Sequence, residues 1–505
     1  MKCFKITRDL LVLGIGLLTI GLSGCGREEP SATGTSQQAA PATSAKIPVT
    51  TSSKEARGLF LEGRSLLDNL HRTESRPKFE QAVEYDPDFA TAYVFLAASA
   101  STAAQFFDAI EQAEAHASSA SKGEQLVIQA AAAGARNDQD TQLQALTELV
   151  SLYPKDARAH MGLANYYSGQ SDFSSAAKHY GHAVAINPQM AAAYNAMGYA
   201  KRNNDDLEGA KAAFAKYVEL IPDEANPYDS YAELLMEMGQ YDASIENYRK
   251  ALAIDANFAS SYAGISIDQS LKGDADAAQA AAAEMLAVAR SPAERQAALL
   301  SSVTAYLFAG DTDAAMAAAE KTYADAEGSG NHAAMGGIRE YMGDIMLLAN
   351  NTDKALEYFS EALSQRQQAD INEENKIQAE RTHLFKSAIT AMVAGDMDTA
   401  ASTAAEYKAA AEASGTAFER RRVRELAGYL AMNDEDKSIA VTELAQANQL
   451  NPIVLYWSAV ANKNAGDIEK ARDLANRAAT RNTLSPNLPF FRKQALQLLD
   501  ELDAT

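Results

Sequence analysis

One pattern of residues returns three times between Asp156 and Phe258 with a strict spacing of 34 residues, and this period limits the possible folds more than any other feature of the chain. Each copy combines small residues with large apolar and aromatic ones at fixed offsets. The copies hold His160, Leu163, Ala164, Tyr167, Ala176, Tyr180, Ala183 and Pro188; then Tyr194, Met197, Gly198, Lys201, Ala210, Phe214, Tyr217 and Pro222; then Tyr228, Tyr231, Ala232, Leu235, Ser244, Tyr248, Ala251 and Ala256. A fixed period of this length predicts a stack of similar supersecondary units.

Each unit is predicted to be a helix hairpin. Small residues such as Ala164, Gly198 and Ala232 allow two helices to approach closely, and an aromatic residue farther along each copy fills the space beside them. Gly, Asn and Asp cluster at 169–172, 203–206 and 239–242, where a left-handed residue would end the first helix. Because one hairpin cannot bury its apolar face alone, the units must stack on their neighbours.

The pattern resembles the tetratricopeptide repeat, in which W-x2-L-G-x2-Y is followed by A-x3-F and then by proline. The first aromatic position holds His160, Tyr194 and Tyr228 instead of Trp, and Ala256 replaces the proline of the third copy. The resemblance implies an all-α, right-handed superhelical solenoid.

We predict about twelve hairpins over residues 54–485. The repeats are clearest at 157–190, 191–224, 225–258, 336–369 and 421–454. The longer joints near 328–335 and 366–380 are either extended helices or irregular loops.

Residues 486–505 are predicted to form a helix that caps the open face of the last repeat. The alternative for this segment is that Phe490 and Phe491 dock a partner.

The first 24 residues read as a lipoprotein signal peptide. Three basic residues precede an apolar run that is too short to span a membrane, and the run ends in Leu22-Ser23-Gly24-Cys25, which resembles the bacterial lipobox. Cys25 would carry the lipid, and Gly26 after it implies passage to the outer membrane. The alternatives are an ordinary secretory signal that contains a cysteine or a buried helix. Residues 25–53, rich in Ser, Thr, Ala and Pro, are predicted to be a flexible tether.

Composition argues against several function classes. The formal net charge of −22 makes nucleic acid a poor partner. Both cysteines, Cys3 and Cys25, precede the predicted solenoid, so neither a disulfide nor a thiolate metal site is expected in it. We find no nucleophile elbow, phosphate loop or metal-binding motif, and we expect no enzyme activity, no cofactor and no metal.

Two clusters of polar residues have a structural and a functional interpretation. His179 and His182 lie three apart on one helix and could supply half of a metal site, although a solvated pair is favoured, and His160 fits an aromatic core position. The basic run at 419–425 could receive an acidic partner, although local ion pairs with the flanking glutamates are favoured.

The resemblance also implies a binding surface, because the first helix of each tetratricopeptide hairpin lines a concave groove for peptides or helices. The groove positions of the central repeats hold Arg158, Met161 and Asn165, then Asn195, Tyr199 and Arg202, then Asp229, Glu233 and Met236. The Asn side chains would bind a peptide backbone, and Arg158 and Arg202 would bind a carboxylate.

These features together predict a non-enzymatic, membrane-tethered scaffold. It would bind a protein or peptide partner in the bacterial cell envelope, facing the periplasm from the outer membrane, and would support assembly of an envelope or export complex. The alternative is a regulatory receptor for a peptide or small ligand, which would need a closed aromatic pocket.

Overall fold

A computed structural model describes residues 46–100, 102–432 and 434–504 of the chain. The predicted signal peptide, Cys25 and residues 26–45 of the predicted tether lie outside these ranges. The described part of the chain forms 25 α-helices, one short 3-10 turn at Ala117–Ser119 and no β-strand. The prediction of an all-α repeat fold is confirmed.

The helices have the following bounds: α1 Lys54–Asp68, α2 Arg72–Tyr85, α3 Ala90–Ala98, α4 Ala103–Ala115, α5 Lys122–Ala135, α6 Gln139–Leu152, α7 Ala157–Gly169, α8 Phe173–Ile186, α9 Ala191–Asn203, α10 Leu207–Leu220, α11 Ala225–Glu237, α12 Tyr241–Ile254, α13 Ala259–Lys272, α14 Ala275–Val288, α15 Pro292–Phe308, α16 Thr312–Gly328, α17 His332–Leu348, α18 Thr352–Gln368, α19 Glu373–Ala394, α20 Met397–Ser414, α21 Ala417–Ala431, α22 Lys437–Ala445, α23 Pro452–Ala465, α24 Ile468–Thr480 and α25 Pro489–Asp503.

Consecutive helices pair from α1/α2 to α23/α24, so the described residues contain twelve hairpins, here numbered 1 to 12, followed by α25. Hairpins 8 to 10 have longer helices, with 17 residues in α15 and 22 in α19. These extensions fill the joints near 328–335 and 366–380, so the joints are mainly helical. Hairpins 9 and 11 begin at His332 and Ala417, four residues before the predicted repeats 336–369 and 421–454.

The chain divides into two compact units. The N-terminal unit ends at Asp223 and contains hairpins 1 to 5, and the C-terminal unit begins at Glu224 and contains hairpins 6 to 12 and α25. Each is described separately below.

Aspartates begin most of the second helices. The side chain of Asp172 accepts a hydrogen bond from the backbone N–H of Ser175, and Asp206 accepts one from Gly209. Such caps satisfy backbone donors that the first turn leaves unpaired. The left-handed residue of the turn is Gly239 in hairpin 6, but Ser171 and Asp205 in hairpins 4 and 5. There the predicted Gly169 and Asn203 are the last helical residues instead.

Small residues in the first helices face aromatic residues of the second, as the sequence pattern predicts. A Cβ atom added at Gly198 would lie 2.7 Å from the Phe214 ring of the same hairpin. One added at Gly264 of hairpin 7 would lie 2.2 Å from the Tyr248 ring of the preceding hairpin. Phe214 and Tyr248 are completely buried. The core is therefore a row of small clusters, each shared by adjacent hairpins.

Helix α25 caps hairpin 12. Its buried residues Ala495, Leu498 and Leu502 join a cluster with Leu455 of α23 and Leu474 of α24. The predicted capping helix is confirmed.

Candidate peptide-binding surfaces

In the N-terminal unit, the first predicted groove residue of α7, Arg158, belongs to a charged cluster. Arg158 pairs with Asp68 of α1, although the two residues are 90 positions apart. Burial and the nearby Arg158 lower the pKa of Arg64 to about 10. Burial also raises the pKa of Asp68, against the effect of Arg158 and Arg64. Arg158 therefore has an internal partner already and contributes to packing hairpin 4 against hairpin 1.

The other two α7 positions differ in exposure. Met161 is half-buried against the core that hairpins 4 and 5 share. Asn165 is exposed and accepts a hydrogen bond of 2.7 Å from the hydroxyl of Tyr180. Asn165 is thus a groove residue that a partner could reach.

The groove positions of α9 form a stack of side chains. Tyr199 packs edge-on against Phe214 with ring centroids 5.0 Å apart, and the guanidinium carbon of Arg202 lies 4.8 Å above the Tyr199 ring. Asn195, Tyr199 and Arg202 are all half-buried. The ring of Tyr199 is therefore held between a core aromatic residue and a cation.

The three groove positions of α11, in the C-terminal unit, are not an open surface. Asp229, Glu233 and Met236 are only 5%, 7% and 1% exposed. Asp229 accepts hydrogen bonds from the hydroxyls of Ser260 and Ser261. The expectation that these residues line an open groove is wrong for α11, because internal contacts cover them.

A C-terminal arm, residues 481–490, contributes to this covering. Asn482 donates a hydrogen bond of 2.9 Å to the carbonyl of Met236, and Arg492 donates one of 2.6 Å to the side chain of Asn482. Tyr341 of α17 donates to the carbonyl of Pro486 at 2.6 Å. The arm therefore reaches back to hairpins 6 and 9 of the same unit.

The phenylalanines considered for partner docking lie within this packing. Phe490 contacts Tyr341 edge-on at 5.4 Å, and Phe491 is 5% exposed. The docking alternative for Phe490 and Phe491 is not supported, because both rings are used internally.

The sequence did not predict that a segment of the chain itself packs on the N-terminal unit as an extended peptide. Residues 46–53, the end of the predicted tether, lie against hairpins 1 to 4 instead of hanging free. The backbone N–H of Ile47 donates to Asp156 at 2.9 Å, and that of Thr50 donates to Glu124 at 2.8 Å. The N–H of Ser52 donates to Asp86 at 3.0 Å.

The side chains of this segment alternate as in an extended strand. Ile47, Val49 and Thr51 are half-buried, whereas Pro48 and Thr50 are exposed. Ile47 packs on the core of hairpins 3 and 4, and Val49 packs on that of hairpins 1 and 2. In the sequence, this extended segment is indicated by the alternation of β-branched residues at the end of a low-complexity stretch.

The three carboxylates that hold the segment are buried. Asp86, Glu124 and Asp156 are 8%, 0% and 7% exposed. In each carboxylate, one oxygen accepts a hydrogen bond from the local turn or helix, and the other accepts one from the segment. In Asp156, Oδ1 accepts from the N–H of Arg158 at 2.8 Å, and Oδ2 accepts from the N–H of Ile47. The hydroxyl and N–H donors hold the pKa of Asp86 below its usual value, although burial opposes them. Hydrogen bonds to charged acceptors are among the stronger ones in proteins.

The histidines of hairpin 4 form a cluster of three. His160 is buried, its Nδ1 lies 3.3 Å from Nδ1 of His179, and its Nε2 lies 3.0 Å from the carbonyl of Pro154. The ring of His182 is 5.1 Å from that of His160. Burial and the two other histidines lower the pKa of His179, which is therefore not simply a solvated residue. In the described ranges no cluster of histidine, cysteine or carboxylate side chains has a geometry that suits a metal ion.

The basic run at 419–425 is mostly engaged within its own unit. Glu419 is 1% exposed and accepts from Nε of Arg381 at 3.0 Å. Arg422 lies 3.9 Å above the Phe385 ring, and Arg424 pairs with Glu443. The partners lie on α19 and α22, so the interpretation as a solvated face with local ion pairs is not supported.

No helix in the described part of the chain has both the length and the apolarity that a membrane crossing requires.

Comparison with known proteins gives matches along parts of the chain. A family described as "Tetratricopeptide repeat" matches residues 60–122 and 161–225, and one described as "TPR repeat" matches residues 232–265. A search of curated proteins found no match.

Several solved structures are similar to part of the chain. A tetratricopeptide repeat protein from Parabacteroides merdae is 15% identical over 52% of this chain and 99% of its own, with a TM-score of 0.40. PilF of Pseudomonas aeruginosa is 20% identical over 43% of this chain and 90% of its own, with a TM-score of 0.30. YrrB, described as having an unusual peptide-binding site, is 17% identical over 36% of this chain and 93% of its own, with a TM-score of 0.29.

Tetratricopeptide repeats are protein interaction scaffolds, and both family matches coincide with hairpins of the expected pattern. The repeated small and aromatic positions, the hairpins of the described residues and these matches show that the chain contains tetratricopeptide repeats over residues 60–122, 161–225 and 232–265.

Proposed function

We propose that the chain is a non-enzymatic interaction scaffold that is anchored to a bacterial membrane by a lipid on Cys25. It works in the cell envelope, on the periplasmic face of the outer membrane. It holds an extended segment of a protein partner during assembly of an envelope or export complex. The observation that carries this proposal is that residues 46–53 already lie as an extended peptide along hairpins 1 to 4.

The way this segment is held supports binding of other peptides. Asp86, Glu124 and Asp156 contact backbone N–H groups, which every residue except proline carries. Recognition through the backbone depends little on side-chain identity, whereas the half-buried Ile47 and Val49 add apolar contact. The hairpins therefore have both components of peptide recognition, a main-chain component and a side-chain component.

The exposed groove residues of the N-terminal unit provide a polar surface for the partner. Asn165 presents an amide that both donates and accepts hydrogen bonds. The catalytic alternative would need titratable side chains converging in one cleft, and the charged groups of α7 are instead held in the pair of Arg158 with Asp68.

A site-specific cross-link in intact cells tests the groove. A photoreactive residue replaces Asn165, which is exposed on α7, and the control carries it at Lys178, which is exposed on α8 of the same hairpin. We expect one envelope protein to be captured when the photoreactive residue is at position 165 and not when it is at position 178. Equal capture from both positions, or capture of scattered abundant proteins alone, would contradict the proposal.

The anchor has a separate test. Cys25→Ser should release the chain from the membrane fraction and abolish labelling with radioactive palmitate, since the acylated thiol is absent. Cys3→Ser is the matched control, because Cys3 lies in the segment predicted to be removed. Palmitate labelling that persists in the Cys25→Ser chain would refute the anchor.

A further inference from the structure

The surface that holds residues 46–53 has a second copy in the C-terminal unit. Residues 86–91 read Asp-Pro-Asp-Phe-Ala-Thr, and residues 255–260 read Asp-Ala-Asn-Phe-Ala-Ser. Farther along, Ser-Lys-Gly-Glu at 121–124 corresponds to Ser-Pro-Ala-Glu at 291–294. We call these the first and second carboxylate edges, with Asp86 and Glu124 in the first and Asp255 and Glu294 in the second.

The aspartates of the two edges are in the same local structure. Asp86 accepts from the N–H of Asp88 at 3.2 Å, and Asp255 accepts from the N–H of Asn257 at 2.9 Å. Each follows the second helix of a hairpin and precedes the first helix of the next. The second edge therefore places a carboxylate where the first edge binds Ser52.

The glutamates also correspond. Ser121 and Ser291 are N-caps that accept from the N–H of Glu124 and Glu294. One oxygen of each glutamate accepts a backbone N–H just before its helix, at 3.0 Å for Glu124 and 2.6 Å for Glu294. In the first edge the other oxygen of Glu124 accepts from Thr50.

The second edge lacks the cover that the first edge has. Phe89 and Ala90 are 0% and 2% exposed, whereas Phe258 and Ala259 at the same positions are only half-buried. Asp255 is likewise half-buried, against 8% exposure for Asp86. No extended segment of the described residues lies over these positions, and they remain partly open.

Glu294 is the most direct indication of a missing donor. It is 5% exposed, and within the described residues its Oε1 accepts no hydrogen bond, although it forms an ion pair with Arg290. The closest cation is Arg290, whose Nη2 is 3.5 Å away, and the Arg290 side chain is 53% exposed. At a third motif of this kind, Thr416-x-x-Glu419, both oxygens of Glu419 accept hydrogen bonds, from Arg381 and from Tyr407. Burial of a carboxylate oxygen without a donor is costly, so an incoming N–H would be favourable.

A cavity of about 610 Å³ lies beside the residues that precede Glu294 in the chain. Arg290, Ser291 and Pro292 line one side of it, and Asn331 lines another. Asn331 is the N-cap of α17, as Asp156 is the N-cap of α7. In the N-terminal unit, Asp86, Glu124 and Asp156 hold Ser52, Thr50 and Ile47 in that order. In the same order, the cavity lies between the second position, which is Glu294, and the third, which is Asn331.

We propose that Asp255, Glu294 and this cavity form a second peptide-binding site, which takes an extended segment of another protein through its backbone N–H groups. The ligand resembles residues 46–53: it has no acidic residue, because it meets two carboxylates, and it carries β-branched and hydroxyl side chains at alternate positions. Arg290 moves aside as the peptide donates to Glu294. This site is separate from the groove of the N-terminal unit and does not depend on the function proposed for that groove.

A binding measurement with a defined probe tests the site. A fluorescein-labelled peptide with the sequence of residues 46–53 is titrated with the full chain and followed by fluorescence anisotropy. We expect saturable binding, and we expect Glu294→Gln and Asp255→Asn each to weaken it about tenfold, because each replaces a charged acceptor by a neutral one. Glu406→Gln, at an exposed glutamate of α20, is the matched control and should leave binding unchanged.

Two further results identify the site that the probe occupies. A photoreactive group at the Thr50 position of the peptide should cross-link to residues near Phe258 or Arg290, and the variants should retain the helical circular dichroism of the parent. The proposal is overturned if the probe does not bind at about 1 mM, if neither site variant weakens binding, or if the cross-links map to hairpins 2 to 4. The last result would mean that the probe only exchanges with the chain's own segment.

Discussion

Replacing Asp268 by asparagine should make the C-terminal unit more stable at alkaline pH. Asp268 lies on α13 and is completely buried, and neither of its carboxylate oxygens has a hydrogen-bond partner among the described residues. Burial raises its pKa to about 7, partly offset by the nearby Ser244 hydroxyl and Lys272 ammonium group. The Ser244 hydroxyl donates to the carbonyl of Ala232 at 2.8 Å, so its proton is not shared with Asp268.

The expected size follows from the difference between the folded and unfolded pKa of Asp268. The unfolded value is 3.8 and the folded value is about 7. Below pH 3.8 the carboxyl is protonated in both states and contributes nothing. Between these values the unfolded state releases the proton first, so the free energy of unfolding falls as pH rises, by at most about 1.4 kcal/mol per pH unit. Above pH 7 the accumulated loss is about 4 kcal/mol.

Asp268→Asn removes this ionisation while keeping the shape of the side chain. We expect the variant and the parent to have similar stability at pH 4, and the variant to be more stable by as much as about 4 kcal/mol at pH 8. Hydrogen exchange of peptides from α13 and α14 is the assay, because stability in a repeat array is local. Asp276→Asn, at an exposed residue of α14, is the control and should show little pH-dependent difference. A difference between Asp268→Asn and the parent that is the same at both pH values would refute the reasoning.

Two more substitutions test the packing. Gly264→Ala should lower the free energy of unfolding by about 1–3 kcal/mol, because the new methyl group would overlap the buried Tyr248 ring. Gly181→Ala should raise it by about 0.5–1 kcal/mol, because no described atom lies within 4 Å of the new methyl group and alanine has the higher helix propensity. Urea unfolding measures the free energy of unfolding of both variants. Equal changes in the two variants would contradict the packing argument. Arg381→Ala should cost about 3–5 kcal/mol because it leaves the buried Glu419 carboxylate without its cation, and adding Glu419→Gln should recover part of the loss in thermal unfolding. A double variant no more stable than Arg381→Ala would refute the pairing.

Most of the fold could be predicted because the information is local. The spacing between Ala210 and Phe214, or between Ser244 and Tyr248, places a small residue and an aromatic residue on one face of a helix. Such short-range patterns predict hairpins, and repetition of hairpins predicts stacking. The exact turn residue was less predictable, since Ser171 takes the left-handed conformation although Gly169 is two positions away.

The candidate groove was only partly predictable. Asn165 is exposed as expected, but Glu233 and Met236 are buried. Asn165 and Glu233 hold equivalent positions two repeats apart, so the repeat pattern cannot distinguish them. Tertiary contacts differ between the two helices, and in α11 the backbone of Met236 is contacted by Asn482, which is 246 residues away in sequence.

The sequence by itself determined the hairpin, its period and the caps of its helices, since each depends on residues only a few positions apart. The tertiary structure alone decided which surfaces stay open: residues 46–53 cover the first carboxylate edge, the C-terminal arm reaches hairpin 6, and Phe258 and Ala259 of the second edge remain half-buried. The physical reason is that the curvature of a repeat array accumulates from small rotations at every hairpin. Only the sum of those rotations brings distant segments together, and no local pattern encodes that sum.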